Sequence, residues 1–326
     1  MTANFEVIVL DIDGAISEQH TLLDTFNPTV IPLQKRHAEL RNWCPIPTFK
    51  ALEGVLTTAF RTNLPKFYLY GSGDFHHFPL LFTQLLECDE PITMIGLDAH
   101  SDIWHGVPGY VWSGQWVPRC LELSHIEKVI SIGVDKDLRE GLIDLPLGSF
   151  THCLNLVKQG KFEMYPHEMS SSRFYAQINA HLDWVKLTPI SWLKTQAEWR
   201  PIKQWASPTE FAHYLLSRIP TDAIYLTLDK DGLREEDCYS NYYGSGKQGS
   251  LSLEELLTIL DVLKVHKKII GIDTCGDFSV PATPASWLKK QWTRFGLNEF
   301  PPHLYNVPEL KQINERANIQ ILNAFV

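Results

Sequence analysis

One plan recurs through the 326-residue chain: a short apolar run that ends in glycine or acidic residues. It appears as VIVLDID (7–13), FYLYGSGD (67–74), ITMIGLDAH (92–100), VISIGVDKD (129–137), IYLTLDKDG (224–232) and IIGIDTCGD (269–277). Runs that are apolar at every position, rather than at every second one, suit strands covered on both faces, which is the environment inside a parallel sheet. Between them lie stretches with helical spacing of apolar residues: HHFPLLFTQLLE (76–87), SPTEFAHYLLSRI (207–219) and SLSLEELLTILDVLKVH (250–266). Ser207 and Ser252 each precede a glutamate by three places, Glu210 and Glu255, as in a capping box. With a further strand expected near 187–193, the fold class is α/β: a three-layer α/β/α sandwich around a mostly parallel sheet of about eight strands. No internal repeat and no Pro/Gly/Ser linker divides the chain, so a single domain over 1–326 is expected, with the tryptophan-rich stretch 184–205 a packing segment.

Composition narrows the function classes. With 44% hydrophobic and 21% charged residues the chain reads as an ordinary globular protein. A formal net charge of −9 and the lack of a Lys/Arg-rich block argue against a nucleic-acid partner. The start, MTANFEVIVLDIDG, lacks the basic and apolar regions of a secretory signal, and no run is long enough to span a bilayer. Six scattered cysteines without a CxxC pair suit reduced thiols and argue against a cysteine metal site, so a cytoplasmic protein with no membrane partner and no cysteine-bound metal is expected.

The acids fall where the chemistry of such a sheet is found, at the carboxyl ends of strands. In GLDAHSD (96–102), Asp98, His100 and Asp102 alternate, and on an extended chain end that spacing places three ligand-type side chains on one side. LTLDKDGL (226–233) adds Asp229 and Asp231 at the same spacing. A carboxylate can bridge two cations whose repulsion would otherwise be severe, and Asp98 and Asp229 are the candidates for bridging. GSGDFHHF (71–78) contributes His76 or His77 to a second metal position. Its bland reading is a helix capped by Asp74 that carries two ordinary histidines.

These three segments, in this order, resemble those of the ureohydrolase superfamily, the arginases, agmatinases and formiminoglutamases, with their GGDH, DAHxD and SFDxDxxDP motifs. The resemblance implies an arginase-like fold with a binuclear manganese centre, two Mn2+ per chain, that hydrolyses a guanidino or amidino C–N bond by a metal-bridging hydroxide. It implies one metal held by His76 (or His77), Asp98, Asp102 and Asp229, and another held by Asp98, His100, Asp229 and Asp231. First-row divalent ions other than manganese fit the same mixed N/O donors. Asp102 would hydrogen-bond the nucleophile and pass a proton to the leaving amine. The partner is then a small cationic guanidino or amidino substrate, and a homo-oligomer is compatible with the family.

The departures point away from plain arginine. Trp104 stands where arginases have an asparagine that contacts the amino-acid end of arginine, and is a candidate pocket residue. SGQWVP (113–118) lacks the family's shuttle histidine, for which His105 is the candidate substitute. Gly276 occupies the place of the guanidinium-binding glutamate, leaving Asp277, one residue on, as the candidate substrate ligand. The His76-His77 pair also resembles the acid–base pair of metal-dependent deacetylases, which would make His77 catalytic and an acylated amine the target; Asp102, which those enzymes lack, disfavours this. Asp11 and Asp13 in VIVLDIDG resemble the DxDG signature of haloacid dehalogenase-like phosphatases, or simply close the first strand in a turn. A chain that keeps the metal cluster but has lost catalysis is the remaining alternative.

Overall fold

The computed structural model describes residues 5–103, 108–135, 155–168, 200–241, 248–280 and 308–326. In chain order the strands are β1 (Glu6–Asp11), β2 (Thr29–Pro32), β3 (Trp43–Pro45), β4 (Lys66–Leu69), β5 (Ile92–Leu97), β6 (Tyr110–Trp112), β7 (Ile126–Ile132), β8 (Phe162–Tyr165), β9 (Ala223–Asp229) and β10 (Lys268–Cys275). Eight of them form one sheet in the order β2-β1-β4-β10-β9-β5-β7-β8, and every neighbouring pair is parallel. Every residue of β1, β5 and β9 is buried, which is why these strands read as continuous apolar runs rather than alternating ones.

The strand order explains how distant segments meet. After β4 the chain leaves a gap of two strands, builds β5, β7 and β8 outward, and later returns with β9 and β10 to fill the gap. The four central strands β4, β10, β9 and β5 therefore end side by side, although their last residues are 69, 275, 229 and 97. Such a reversal of strand order opens a crevice at the carboxyl ends of the strands.

Helices α1 (His20–Phe26), α2 (His37–Leu40), α3 (Ile46–Thr57), α4 (Phe78–Gln84), α5 (Trp116–Cys120), α6 (Pro208–Arg218), α7 (Leu253–His266) and α8 (Pro308–Asn323) flank the sheet. In α7 the buried Leu253, Leu256, Ile259, Leu260 and Leu263 form one stripe, and Ser252 and Glu255 make both bonds of a capping box, a contribution of about 1 kcal/mol. Ser207 caps α6 through the Glu210 amide at 3.1 Å, but Glu210 reaches back to the amide of Ala206 rather than of Ser207. Among the described residues no helix is long and apolar enough to cross a membrane.

Two strands, β2 and β8, and the small antiparallel sheet of β3 and β6 carry no clear alternation in the sequence. The small sheet stacks Trp43 on Trp112, ring centroids 5.2 Å apart. It also ties loops together, since the Asn42 amide donates to Asp74 O at 2.8 Å and Asn42 O accepts from Ser113 N at 2.9 Å. The strand expected at 187–193 and most of the tryptophan-rich stretch lie outside the described residues.

Candidate metal centre

The β4 carboxyl end turns through Gly71-Ser72-Gly73 into a short 3-10 turn, Gly73–Phe75, and delivers His76 to the crevice. Ser72, not Asp74, caps that turn by accepting from the Asp74 amide at 3.2 Å, while Asp74 is buried in an ion pair with Arg41. The two histidines part company here. His76 Nδ1 lies 3.1 Å from Asp98 Oδ2, 2.8 Å from Asp102 Oδ2 and 3.5 Å from Asp229 Oδ2. His77 packs its ring against Phe49 and Phe78, with Nε2 3.9 Å from Cys44 Sγ, and belongs to none of the acid-rich groups among the described residues. The acid–base role that a deacetylase-like reading would give His77 would require it beside the metal groups, where His76 stands instead.

A second group forms beside the first. His100 Nδ1 lies 3.3 Å from Asp98 Oδ1 and 3.0 Å from Asp231 Oδ2. Asp98 thus turns one carboxylate oxygen to each histidine, Oδ2 to His76 and Oδ1 to His100. Backbone amides hold the acids in place: His100 N donates to Asp98 Oδ1 at 2.6 Å, Ala99 N to Asp231 Oδ1 at 3.0 Å and Asp231 N to Asp229 Oδ1 at 3.1 Å. Asp229 itself sits between two glycines. A Cβ at Gly73 would come within 2.6 Å of its Oδ2, and one at Gly276, where φ is +88°, within 2.5 Å of its Oδ1.

Asp102 joins the cluster by a different route from the extended spacing read in the sequence. Strand β5 ends at Leu97, and Asp102 takes up a left-handed conformation with φ of 46°, which aims its carboxylate back toward His76. Trp116 Nε1 then donates to Asp102 Oδ2 at 2.7 Å, so the SGQWVP segment supplies an indole donor to the cluster. Trp116 is fully buried and had no assigned role in the sequence, where its only signal is proximity to the Ser-Gly pair.

Polar residues inside the central strands complete the arrangement. Thr227 Oγ1 donates its single proton to Asp273 Oδ1 at 2.9 Å, and Tyr70 OH donates to the same oxygen at 2.9 Å. His76 Nε2, 3.2 Å from Thr227 Oγ1, is therefore the donor in that contact, which leaves the Nδ1 lone pair facing three carboxylates. His76 Nδ1 and Asp231 Oδ2 are buried, and each is satisfied only by its ion-pair partners in the cluster. An acceptor nitrogen ringed by acceptor oxygens is stable only around a cation, whether protons or metal ions.

The electrostatics carry the same message. Burial, then Asp102 and Asp231, push the Asp98 carboxyl well above the usual range. Burial, with Asp231 next, raises Asp229 to about 7. Burial works against a charged His76 and His100, yet the surrounding carboxylates lift both well above an ordinary imidazole. Burial also opposes ionisation of Asp231, but His100 outweighs it and holds this carboxyl below its ordinary value. Four aspartates and two histidines in hydrogen-bond range match the N/O donor set of a first-row divalent ion, and the groups His76/Asp98/Asp102 and Asp98/His100/Asp231 each could hold one. The cluster meets solvent at His100, whose side chain is 26% exposed, and at Asp102, 11% exposed.

No family model and no curated protein matches the sequence. Solved structures do resemble this one. The arginase of Entamoeba histolytica, in complex with L-ornithine, superposes with a TM-score of 0.56 at 11% identity over 99% of each chain. The arginase of Bacillus subtilis gives 0.53 at 14% identity over 99% of this chain and 98% of the other. The fold is that of the arginases. A hypothetical agmatinase from Burkholderia thailandensis shares it, with a TM-score of 0.52 at 13% identity over 100% of this chain and 87% of the other.

Within the arginase fold, the remaining candidates fall into three places. Trp104 and His105 lie outside the described residues. Asp277 is buried, and both its oxygens are engaged: Oδ2 accepts from Lys230 Nζ at 2.7 Å, and Oδ1 accepts from Gln19 Nε2 at 3.0 Å and Asn318 Nδ2 at 2.9 Å. The carboxylate expected to meet a guanidinium is thus already neutralised by the fully buried Lys230, the middle residue of LDKDG. Asp11 and Asp13 close the first strand. Asp11 accepts from Gly14 N at 3.2 Å and from Gln34, while Asp13 accepts from Ala15 N at 3.1 Å and Ser72 N at 3.0 Å. Asp13 fills the space that a side chain at Gly71 would take, and burial raises its carboxyl to about 6. That is a structural turn with both carboxylates spent on backbone and side-chain amides, which leaves the phosphatase reading without a free nucleophile.

Proposed function

We propose that this protein is a binuclear metal-dependent hydrolase that cleaves a C–N bond at a guanidino or amidino carbon of a small substrate. The observation that carries the reading is Asp98, which offers one oxygen to each of two His/Asp groups at the carboxyl ends of the central strands of an arginase fold. His76, Asp98, Asp102 and Asp229 would hold one cation, and Asp98, His100, Asp229 and Asp231 the other. Manganese suits these oxygen-rich donors. Two adjacent cations, when bound, lower the pKa of water and stabilise negative charge that develops on the attacked carbon's substituents.

The chain's own groups supply the rest. Asp102, on the solvent side of the cluster, would take a proton from the nucleophile and give it to the departing amine. Trp116 fixes the direction of that carboxylate. The Asp273–Thr227 relay would hold the His76 ring through Nε2 and turn Nδ1 toward the metal position. With a glycine at 276 and Asp277 bound to Lys230, the cationic end of the substrate is received by other groups, which fits a substrate other than arginine.

The test is to load the protein with manganese and screen guanidino and amidino compounds for release of urea, ammonia or amine. Release that requires metal, is lost in Asp98→Asn, and falls far more than metal content in Asp102→Asn supports the proposal. A fully loaded protein that cleaves none of them, or turnover that Asp102→Asn leaves unchanged, contradicts it.

A further inference from the structure

We propose that Cys275 is a sulfur ligand of the metal position built on His76 and Asp229, and that this position consequently prefers a thiophilic ion such as cobalt or zinc to manganese. The inference rests on the binuclear reading and adds a donor outside its six His/Asp residues. In β9 and β10, Thr227 is the register partner of Asp273, and Asp229 that of Cys275. Residues two apart on a strand share a face, so these pairs form successive rungs on one face of the sheet. The lower rung receives His76 Nε2, and the upper rung stands beside the acid cluster. A ring nitrogen of His76, a carboxylate oxygen of Asp229 and Cys275 Sγ all lie within 4.8 Å of one another.

Cys275 is fully buried, so its thiol is shielded from solution chemistry. Gly276, with φ of +88°, turns the chain immediately afterwards, and Cys275 is the last side chain of β10 on that face. His76 Nδ1, 3.5 Å from the Asp229 Oδ2 of that group, is buried and faces carboxylate oxygens. Metal binding there would break the S–H bond, form a metal–sulfur bond and release one proton to solvent. Thiolate donors favour zinc, cobalt and iron, whereas manganese is held best by oxygen, so one sulfur among the donors separates the two metal positions in their preference. A cysteine that merely fills core volume would have no such effect.

The full chain titrated with cobalt(II) without oxygen is expected to show visible ligand-field bands together with a near-ultraviolet sulfur-to-cobalt charge-transfer band. In Cys275→Ser the ligand-field bands and the stoichiometry should stay while the charge-transfer band disappears. The zinc-over-manganese preference should fall by about tenfold or more, since loss of even an outer partner of a metal ligand costs that much. Cys238→Ser, a buried control whose Sγ contacts Gly276 O and Asn314, should leave the band intact. Cys275→Ala, read by the same bands, serves if serine is not tolerated. Cobalt binding with no charge-transfer band, or a band that survives both Cys275 variants, overturns the sulfur ligand and leaves the hydrolase reading standing. A wild-type chain that binds no cobalt overturns both.

Discussion

Replacing Gly276 by alanine would bring a methyl group into the most crowded point of the site. Its Cβ would lie 2.5 Å from Asp229 Oδ1, 2.6 Å from Lys230 N and 3.0 Å from Asp231 N. Two of these three atoms are backbone and cannot swing aside. The residue also holds φ at +88°, where a non-glycine residue is penalised by about 1–2 kcal/mol. Overpacking against fixed atoms adds ~1–3 kcal/mol. The expected destabilisation is therefore about 2–5 kcal/mol, read as a shift of the chemical-denaturation midpoint with the slope unchanged. Because the displaced group is the Asp229 carboxylate, metal binding should weaken in the same variant. Gly54, where a Cβ would meet nothing within 4 Å, provides the control: Gly54→Ala should leave both quantities near wild type or slightly raise stability. A Gly276→Ala protein with wild-type stability and metal affinity would refute the claim that this glycine is kept to house Asp229. It would also reopen position 276 to a guanidinium-binding side chain.

Thr227→Val keeps the shape of the strand but removes the hydroxyl between His76 Nε2 and Asp273, and metal affinity by calorimetric titration should fall about 10–100-fold; an unchanged affinity would show that the relay does not orient His76. Lys230→Met leaves Asp277 a buried carboxylate without its cation and should cost ~3–5 kcal/mol in chemical denaturation, part of which Lys230→Met/Asp277→Asn should recover. In the presence of chelator, pH should act on stability in the direction opposite to acid denaturation. Asp229 is raised to about 7 and Asp98, His76 and His100 are raised well above their ordinary values, so each folded group holds its proton more tightly than the unfolded one. That stabilisation is complete below the unfolded carboxylate range and is lost as pH rises through about 7 for Asp229, so the chelated protein's Tm should fall on going from mildly acid to mildly alkaline buffer. Added manganese, which competes with those protons, should restore Tm most above that point; a Tm that rises with pH in chelator would contradict the account.

How much of this was legible in the sequence depends on the kind of signal. The long buried strands announced themselves, because β1, β5, β9 and β10 lie inside the sheet and must be apolar on both faces. The edge strands β2 and β8 are four residues each, too short for a period to emerge. DAHSD and DKD were readable as candidate ligand groups because several donor types crowd a few positions after an apolar run, and the fold brings those side chains together. The choice between His76 and His77 was not readable, since it turns on the 3-10 turn that Ser72 caps. Thr227 was passed over as part of an apolar run, Asp273 entered only as a loose match to the later acids of the phosphatase signature, and Cys275, scattered like the other cysteines, was not expected to bind metal. A polar residue inside a strand buried on both faces must have a partner, and LTLD and IDTC each contain one at the same spacing from the strand end. Lys230 was hidden by the opposite habit, that a lysine between two aspartates is normally a solvated turn residue; here it is fully buried and bound to Asp277.

The central claim is that Asp98 serves two cations at once, and metal analysis of the purified protein tests it most directly. Protein prepared without chelator and equilibrated with manganese should carry two first-row divalent ions per chain by elemental analysis. Asp98→Asn, which leaves every other ligand in place, should lose both. A wild-type chain that takes up none, or an Asp98→Asn chain that keeps two, would contradict it.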